Sequence, residues 1–431
     1  IVCLNKKGET IHSYSTKNSS ISHDVILCMT EHKGKIWAGT DGGGINIIDP
    51  ETHQIKTLIH IPGDKNSLPV NTIQYIFHNK SSDICWAGSV KGGAIIIRES
   101  FIESYTDVPL NIDNGLTEKA VLSFYQEPGS EEIWIGTDGG GINRFNPSTL
   151  KFKHYPTTLH RREKIVSICR YNNNELLVSI FSKGIFTFNK HTGELRPIDY
   201  NIPEFSKLAL YGRKSISLYQ DESSSVIIIG PSIYRYYFNT REVCKISADD
   251  KSIEAQTVCI GHDSIYTYLH DTRSIYTIDR KTNKMSTIYT TKDGNEIISV
   301  SKDGNGNLWI GSNTGVSCYN PVNGTETENE SLAINNIFAM ACDNNNRVWI
   351  GTSENLYVWI TDNSKLVSWD ESDGAIPNEY LNKAVLTSRE GDIYMGGING
   401  MMRISPDRYK SYIPKQSDIS LTDVTCKDNS I

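Results

Sequence analysis

The stretch IWAGTDGGGIN at positions 36–46 decides the fold, because it returns almost letter for letter as IWIGTDGGGIN at positions 133–143. Looser copies carry the pattern along the whole chain. They place an aromatic or apolar residue at positions 37, 86, 134, 177, 228, 266, 309, 349 and 394. The mean spacing of roughly 45 residues is typical of propeller blades. Five of the seven Trp occupy this position, so the repeat predicts a structural role for it.

Each repeat reads as four short strands. In the third repeat, an apolar run at 120–126 is followed by 132–137 with Trp134, then by 142–146 and 151–155. Turns rich in Gly, Asn and Asp separate these runs, which predicts an antiparallel sheet. One such sheet cannot bury both faces, whereas sheets stacked around a channel can, with the Trp between neighbours. We therefore predict an all-β fold, a β-propeller of four-stranded antiparallel blades with nine repeats.

The nine repeats divide most simply into a closed ring of seven and two more, since seven blades make a common ring. We expect residues 1–100 to be the last two blades of a preceding propeller and 101–414 to be a seven-bladed propeller. Ile1 to Leu4 reads as the end of a strand whose partners are missing, so we expect a fragment of a larger protein. The run at 419–424 predicts the first strand of a further β domain.

Composition excludes several classes of function. The net charge of −7 and the absence of a basic stripe argue against a nucleic-acid partner. No apolar stretch reaches the roughly 18 residues that a membrane helix needs. The nine Cys form no Cys-x-x-Cys pair and the eleven His are scattered, so we predict neither a metal site nor a cofactor.

The glycine runs at 42–44 and 139–141 each connect one strand to the next. A phosphate-binding loop would instead lead into a helix N-terminus, so we interpret both runs as turns. Asp41 and Asp138 are expected to bond to the turn backbone rather than to act as acids.

Three acidic segments have structural and chemical interpretations. The run 301–309 resembles the Asp-box of sialidases, itself a structural turn, although its spacing is one residue too long. Residues 343–346 have the composition of a calcium loop but lack its Gly and terminal Glu, so a polar turn is favoured. Asp370, Glu371 and Asp373 could supply paired carboxylates for glycoside hydrolysis, but we favour an exposed loop.

Long connections between blades are the places where a propeller would bind a ligand. Three of them, at 155–164, 200–214 and 367–383, combine aromatic and polar or cationic residues. The candidate ligand-binding residues are His160, Arg161, Arg162, Lys164, Tyr211, Arg213, Lys214, Trp369, Asn378, Tyr380 and Asn382. An aromatic ring suits the apolar face of a sugar, and the cations would suit a sulfated or uronic-acid ligand.

The segments 133–147 and 308–321 resemble the two-component-regulator propeller repeat, with Trp-Ile-Gly followed by an aromatic-Asn-Pro end. The segments PNEY at 377–380, IYMGG at 393–397 and ISP at 404–406 resemble the last blade of the sensor region of hybrid two-component systems. In that family two seven-bladed propellers precede an immunoglobulin-like Tyr-rich domain, a membrane helix and a histidine kinase.

The resemblance implies a non-enzymatic periplasmic sensor that binds an oligosaccharide and signals as a homodimer, attached to the membrane through a downstream segment. It also implies that 415–431 begins the immunoglobulin-like domain. Two alternatives stay open: a propeller glycosidase or polysaccharide lyase, and a protein-interaction scaffold.

Overall fold

The computed structural model describes most of the chain. The described residues are 1–62, 67–79, 84–98, 100–109, 113–155, 163–198, 216–222, 224–230, 232–248, 257–292, 294–409, 425–426 and 429–430. They divide into two compact units: an N-terminal unit, Ile1–Ser100 with Asp407–Ile431, and a propeller unit, Phe101–Pro406. Strands dominate both units. In the described parts of the chain, the other regular elements are one helical turn, Pro406–Tyr409, and three 3₁₀ turns, Glu330–Leu332, Thr361–Asn363 and Glu371–Asp373.

The N-terminal unit contains a hairpin and two blade-like sheets. Its strands are β1 Val2–Leu4, β2 Thr10–Ser13, β3 Ile26–His32, β4 Lys35–Thr40, β5 Ile45–Ile48, β6 Ile55–Leu58, β7 Ile73–Asn79, β8 Ile84–Ser89 and β9 Gly93–Ile97. Strands β3–β6 form blade A, and β7–β9 form blade B. Strand β1 pairs with β2, so the expectation that the first strand lacks its partners is wrong.

The described residues of the propeller unit form seven sheets, here called blades 1 to 7. Its first half comprises β10 Ile102–Tyr105, β11 Val121–Gln126, β12 Ile133–Thr137, β13 Ile142–Asn146, β14 Lys151–Tyr155, β15 Ile165–Arg170, β16 Glu175–Ile180, β17 Gly184–Asn189, β18 Leu195–Pro197, β19 Ser217–Glu222, β20 Ser225–Ile229, β21 Ile233–Tyr237, β22 Val243–Lys245 and β23 Ser247–Ala248.

The second half comprises β24 Val258–His262, β25 Tyr266–His270, β26 Ser274–Asp279, β27 Lys284–Thr290, β28 Ile297–Lys302, β29 Leu308–Ser312, β30 Gly315–Asn320, β31 Thr325–Glu328, β32 Ile337–Cys342, β33 Val348–Thr352, β34 Leu356–Ile360, β35 Lys365–Trp369, β36 Tyr380–Thr387, β37 Ile393–Gly397 and β38 Gly400–Ile404. Two further two-residue strands, β39 Thr425–Cys426 and β40 Asn429–Ser430, belong to the N-terminal unit and pair with each other.

Blades 1 to 6 are meanders that begin with β11, β15, β19, β24, β28 and β32 in turn, with β23 as an added parallel edge of blade 4. Blade 7 combines β36–β38 with β10 as its outermost strand, so the first and last strands of the unit share one sheet. The innermost strands contact one another in sequence, and β36 contacts β11. The ring of seven blades is thereby closed. The nine blade-like sheets confirm the predicted propeller fold.

The core lies between neighbouring blades. Trp134 of blade 1, for example, packs in a cluster with Ile165 and Phe188 of blade 2. The repeat position lies in the second strand of each sheet, as the pattern predicts. Blade 4 needs a correction, because its register places Tyr268 where other blades have Trp. Tyr268 is 7% exposed, whereas Tyr266, the residue that the sequence alignment selected, is 37% exposed and lies two residues earlier on the same strand face.

Most innermost strands carry a one-residue bulge close to their first paired residue. Such a bulge turns a side chain out of the regular alternation. The extra residue is Leu122 in blade 1, Val166 in blade 2, Ile298 in blade 5 and Phe338 in blade 6. Blade 7 departs from this pattern. There residues 381–384, here called the blade 7 bulge, lie opposite Gly396 alone.

Candidate functional site

The second-to-third-strand turns and the connections between blades meet at one end of the ring, here called the loop face. The backbone N–H of Gly139 donates to the carbonyl of Glu163 at 3.0 Å, and that of Asn378 donates to Ser353 at 3.1 Å. Each bond joins a turn of one blade to the connection that leads into the next blade. At these two places the turns and the connections of the loop face are hydrogen-bonded to each other.

Three blades converge on a cavity of about 160 Å³ at the loop-face end of the channel. Residues 270–272 of blade 4, residues 296–298 at the start of blade 5 and Asn382 of blade 7 line it. Asn382 Nδ2 donates a hydrogen bond to the Ile298 carbonyl at 2.9 Å. The bond crosses from blade 7 to blade 5, past blade 6, because the blade 7 bulge carries Asn382 inward.

A second cavity, of about 580 Å³, adjoins the first and shares Ile298 with it. Asn313 and residues 335–338 complete its lining. The backbone N–H of Glu296 donates to Asn313 Oδ1 at 3.2 Å, which fixes that side chain. Asn335 and Asn336 are exposed, and the Phe338 ring is half-buried. This wall therefore combines carboxamides, which both donate and accept hydrogen bonds, with one aromatic ring.

One basic side chain, His270, lines the first cavity, and a second, Lys383, is close enough for its charge to act on His270. Burial lowers the pKa of Lys383, which is part of the blade 7 bulge. Burial also lowers the pKa of His270 to about 4; the Asp271 carbonyl and carboxylate oppose this shift, and the positive charge of Lys383 adds to it. At neutral pH His270 is therefore an uncharged imidazole whose Nδ1 donates to the Asp271 carbonyl at 3.0 Å.

The predicted ligand-binding residues fall into three groups. His160, Arg161, Arg162, Tyr211, Arg213 and Lys214 lie outside the described residues. Lys164 and Asn382 lie on the loop face, and Lys164 Nζ donates to Asp138 Oδ2 at 2.7 Å. Trp369, Asn378 and Tyr380 are buried.

Each of the three buried side chains has a partner inside the protein. The Trp369 ring packs edge-on against Phe101, with their centroids 4.9 Å apart. Asn378 Nδ2 donates to the carbonyl of Gly400 at 3.1 Å, and the Tyr380 hydroxyl donates to Ile376 at 2.9 Å. We therefore leave these three residues out of the candidate site.

The glycine-rich turns are structural, but Asp41 and Asp138 do not have the predicted partners. Asp138 pairs with Lys164, and Asp41 accepts a bond from the Thr72 hydroxyl at 3.3 Å. The turn backbone is instead bound by a threonine hydroxyl. Thr137 Oγ1 donates to the Gly141 carbonyl at 2.9 Å.

The acidic side chains at 303 and 343 stabilise their turns and hold the tryptophan of the following strand by hydrogen bonds. Asp303 Oδ2 accepts the indole N–H of Trp309 at 3.0 Å, and its Oδ1 accepts backbone N–H groups of its own turn. Asp343 does the same for Trp349 at 2.9 Å. Glu371 and Asp373 belong to a 3₁₀ turn. Among the described residues, no three His, Cys, Asp or Glu side chains gather in a way that could hold a metal ion.

The geometry defines a seven-bladed propeller with adjoining cavities on its loop face. Residues 291–314 and 331–354 match the family described as two component regulator propeller, which confirms the predicted repeat type. A curated relative, Histidine kinase P4 of Formosa agariphila, is 21% identical over 69% of this chain and 23% of its own length. The chain thus spans about a quarter of that relative.

Solved structures share the fold. The extracellular domain of the hybrid two component system BT3049 from B. thetaiotaomicron matches with a TM-score of 0.69 and 19% identity, covering 94% of this chain and 56% of that one. Virginiamycin B lyase from Staphylococcus aureus matches with a TM-score of 0.51 and 11% identity, covering 66% and 94%. Within the described residues, no helix has both the length and the apolar character that crossing a bilayer requires.

Proposed function

We propose that this chain is part of the periplasmic sensor region of a hybrid two-component system, and that its propeller unit binds an oligosaccharide on the loop face. In this proposal the bound state is passed to a histidine kinase through a homodimer, as a shift between two arrangements. The two-component-regulator repeats and the sensor-domain neighbour support the class. The convergence of blades 4, 5 and 7 on one cavity supports the location.

The chemistry of the second cavity favours a sugar. Its volume of about 580 Å³ falls within the range of small-ligand sites. A sugar ring presents hydroxyl groups that both donate and accept, together with an apolar C–H face. Asn335 and Asn336 can meet the hydroxyls, and the Phe338 ring can lie against the apolar face.

The domain division is part of the proposal. We propose that residues 1–100 contribute the last two blades of a separate propeller and that 415–431 begins an immunoglobulin-like domain. The run at 419–424 lies outside the described residues. A membrane helix and kinase motifs encoded downstream of residue 431 would support this order of domains, and a stop codon without them would contradict it.

Calorimetric titration of the chain with a panel of oligosaccharides tests the site. Asn335→Ala should weaken binding about fivefold, because a hydrogen bond to the ligand contributes about 1 kcal/mol. Phe338→Ala should weaken it further while the chain stays folded, as judged by the thermal midpoint. Asn363→Ala is the matched control, since Asn363 is an exposed asparagine in the turn between β34 and β35.

Equal loss of affinity in the control and the Asn335 variant would contradict this location. Release of saccharide products during the titration would instead favour the enzyme alternative, a glycosidase or lyase.

A further inference from the structure

His270 offers one ring nitrogen to the first cavity. It is the last residue of β25, it lines the cavity, and it is only 3% exposed. Its Nδ1 donates to the Asp271 carbonyl at 3.0 Å, because a carbonyl oxygen can only accept. On the neutral ring Nε2 is then an acceptor. No described residue forms a hydrogen bond with Nε2, and this nitrogen is not fully buried. A ligand in the cavity can therefore reach it.

The surroundings of His270 keep its ring uncharged. Burial lowers the pKa of His270; the backbone and the carboxylate of Asp271 oppose this shift, and the positive charge of Lys383 adds to it. An acceptor left without a donor inside a protein costs stability, and native structures contain few of them. A donor group on a bound ligand would remove this cost.

The acidic side chain next to His270 has its partners within the protein. Asp271 Oδ1 accepts the backbone N–H groups of Arg273 and Ser274, at 2.8 and 2.7 Å. Its Oδ2 accepts the Tyr276 hydroxyl at 2.7 Å. The turn after β25 therefore stabilises the Asp271 carboxylate, whereas Nε2 of His270 can still accept a hydrogen bond.

Two further side chains on the first cavity also offer acceptors. Asn382 uses its amide Nδ2 to donate to the Ile298 carbonyl at 2.9 Å, so its Oδ1 is left to accept. Glu296 lines the cavity and is exposed, and an ionised carboxylate only accepts. An imidazole nitrogen, an amide oxygen and a carboxylate thus surround the space, and a ligand that donates hydrogen bonds complements them.

The size of the first cavity indicates which part of a ligand it receives. Its volume of about 160 Å³ is smaller than the roughly 300 Å³ at which small-ligand sites begin. The second cavity, of about 580 Å³, adjoins it at Ile298. The first cavity therefore suits one end of a ligand whose remainder lies in the second.

We infer that the first cavity receives an uncharged terminal residue of the oligosaccharide, whose hydroxyl groups donate to His270 Nε2 and Asn382 Oδ1. This inference rests on the proposed function and specifies its ligand class. A sugar hydroxyl can donate, whereas the oxygens of a carboxylate or sulfate only accept. An anionic group here would leave both acceptors unpaired and lie close to Glu296. The cationic residues that suggested an anionic sugar, such as Arg161 and Arg213, lie outside the described residues.

Calorimetry on the whole chain with matched probes tests the ligand class. The uncharged probes are maltose, cellobiose and laminaribiose. The charged probes are the same disaccharides with glucuronic acid in place of either glucose. Wild type should bind at least one uncharged probe about fivefold or more tightly than its charged counterparts, as expected for the loss of one hydrogen bond.

Two substitutions separate the two nitrogens of His270. His270→Asn keeps an N–H group that can donate to the Asp271 carbonyl but removes the acceptor at Nε2, so it should abolish the preference for uncharged probes. His270→Gln can place an amide oxygen close to the position of Nε2 and should retain part of the preference. His191→Asn is the matched control and should change nothing, because His191 is exposed in the turn between β17 and β18.

The outcomes distinguish this inference from the proposed function. Charged probes that bind wild type as tightly as uncharged probes, or more tightly, would overturn the inference and leave the proposed function standing. A preference that persists in His270→Asn, with a thermal midpoint close to that of wild type, would also overturn it. If His270→Asn does not fold, the probe comparison on wild type and on His270→Gln decides. Failure of every saccharide to bind would overturn both.

Discussion

Blade B and blade 1 carry the same repeat, yet they bury its tryptophan to different extents. Trp86 of blade B is 40% exposed, whereas Trp134 of blade 1 is 2% exposed. The Trp134 ring packs against Tyr155 and Phe188, with centroids 5.6 and 5.9 Å away. Among the described residues of the N-terminal unit, no further blade covers Trp86. The comparison shows that the repeat encodes half of an interface, which the next blade completes.

The exposed face of blade B has the composition of a blade interface. Phe77 lies opposite Trp86, and Trp86 lies opposite Ile96, so three apolar side chains cross the sheet on one face. All three are exposed. On the other side of blade B the interface is complete, because Trp37 of blade A packs in one core cluster with Ile73 of blade B. Since each blade contacts mainly its neighbours, the stability of such an array depends on each interface in turn.

The largest expected effect comes from removing one tryptophan in each region. Trp134→Ala should destabilise the propeller unit by about 4 kcal/mol, because it leaves a cavity between blades 1 and 2. Trp86→Ala should cost about 1 kcal/mol or less, as expected for an exposed side chain. Amide hydrogen exchange measures both effects separately, since the two units need not unfold together.

The comparison fails if the two substitutions have equal effects in the isolated chain. If further blades are added so that they cover blade B, Trp86→Ala should reduce the stability nearly as much as Trp134→Ala does.

The blades without tryptophan use a different interface, which predicts a somewhat smaller effect. In blade 3 the residue that packs toward blade 4 is Ile227 rather than Ile228, the residue that the sequence pattern selected. Arg235 lies opposite Ile227, is fully buried and forms an ion pair with Asp221 at 2.7 Å. Thr267 of blade 4 donates to the same carboxylate. Asp221→Ala should cost about 3 kcal/mol, because it leaves the guanidinium buried without its partner. Urea unfolding of the propeller unit within the whole chain measures this cost.

The apolar double substitution Asp221→Leu with Arg235→Met is the control. It should recover most of the loss, because neither buried charge is then left alone. A double variant no more stable than Asp221→Ala would show that this pair is itself the main attraction between blades 3 and 4.

Much of the fold could be predicted because the repeat is local. The period of the Trp position and the Gly-rich turns located the second strand of all nine sheets. The choice of Tyr266 over Tyr268 was wrong because both residues lie on the same strand face. Only packing against the neighbouring blade distinguishes them. The closure of the ring by β10 joins residues about 300 positions apart, and no local pattern encodes that.

The candidate site was harder to predict, since distant segments build it. Asn382 was among the predicted residues, but its hydrogen bond to Ile298 joins blade 7 to blade 5, which is not its neighbour in the ring. The sequence pattern of a single blade does not indicate such a contact. The blade 7 bulge was missed because a bulge of this size has no sequence signature apart from a polar pair inside an apolar strand. Trp369 looked like a sugar-stacking ring, but it packs on Phe101, which lies next to β10, the strand that closes the ring.

The smallest expected effect concerns the turn that replaces the tryptophan interaction in blade 4. Asp263 Oδ2 accepts bonds from Lys302 Nζ at 2.6 Å and from the Tyr268 hydroxyl at 2.7 Å. Burial favours the neutral acid, but these bonds and those from backbone N–H groups outweigh it and hold the pKa of Asp263 well below its usual range.

The sign of the pH effect follows from this lowered pKa. Stability from the Asp263 carboxylate is fully present above the unfolded-state pKa of about 3.9 and is lost as the pH falls toward the folded-state value. Asp263→Asn should therefore lower the thermal midpoint at pH 7 and lower it less at pH 3. Tyr266→Phe is the matched control and should change neither midpoint, because the hydroxyl that binds Asp263 belongs to Tyr268. If Asp263→Asn lowers the thermal midpoint by the same amount at pH 7 and pH 3, then the turn geometry at Asp263, rather than its charge, stabilises the blade.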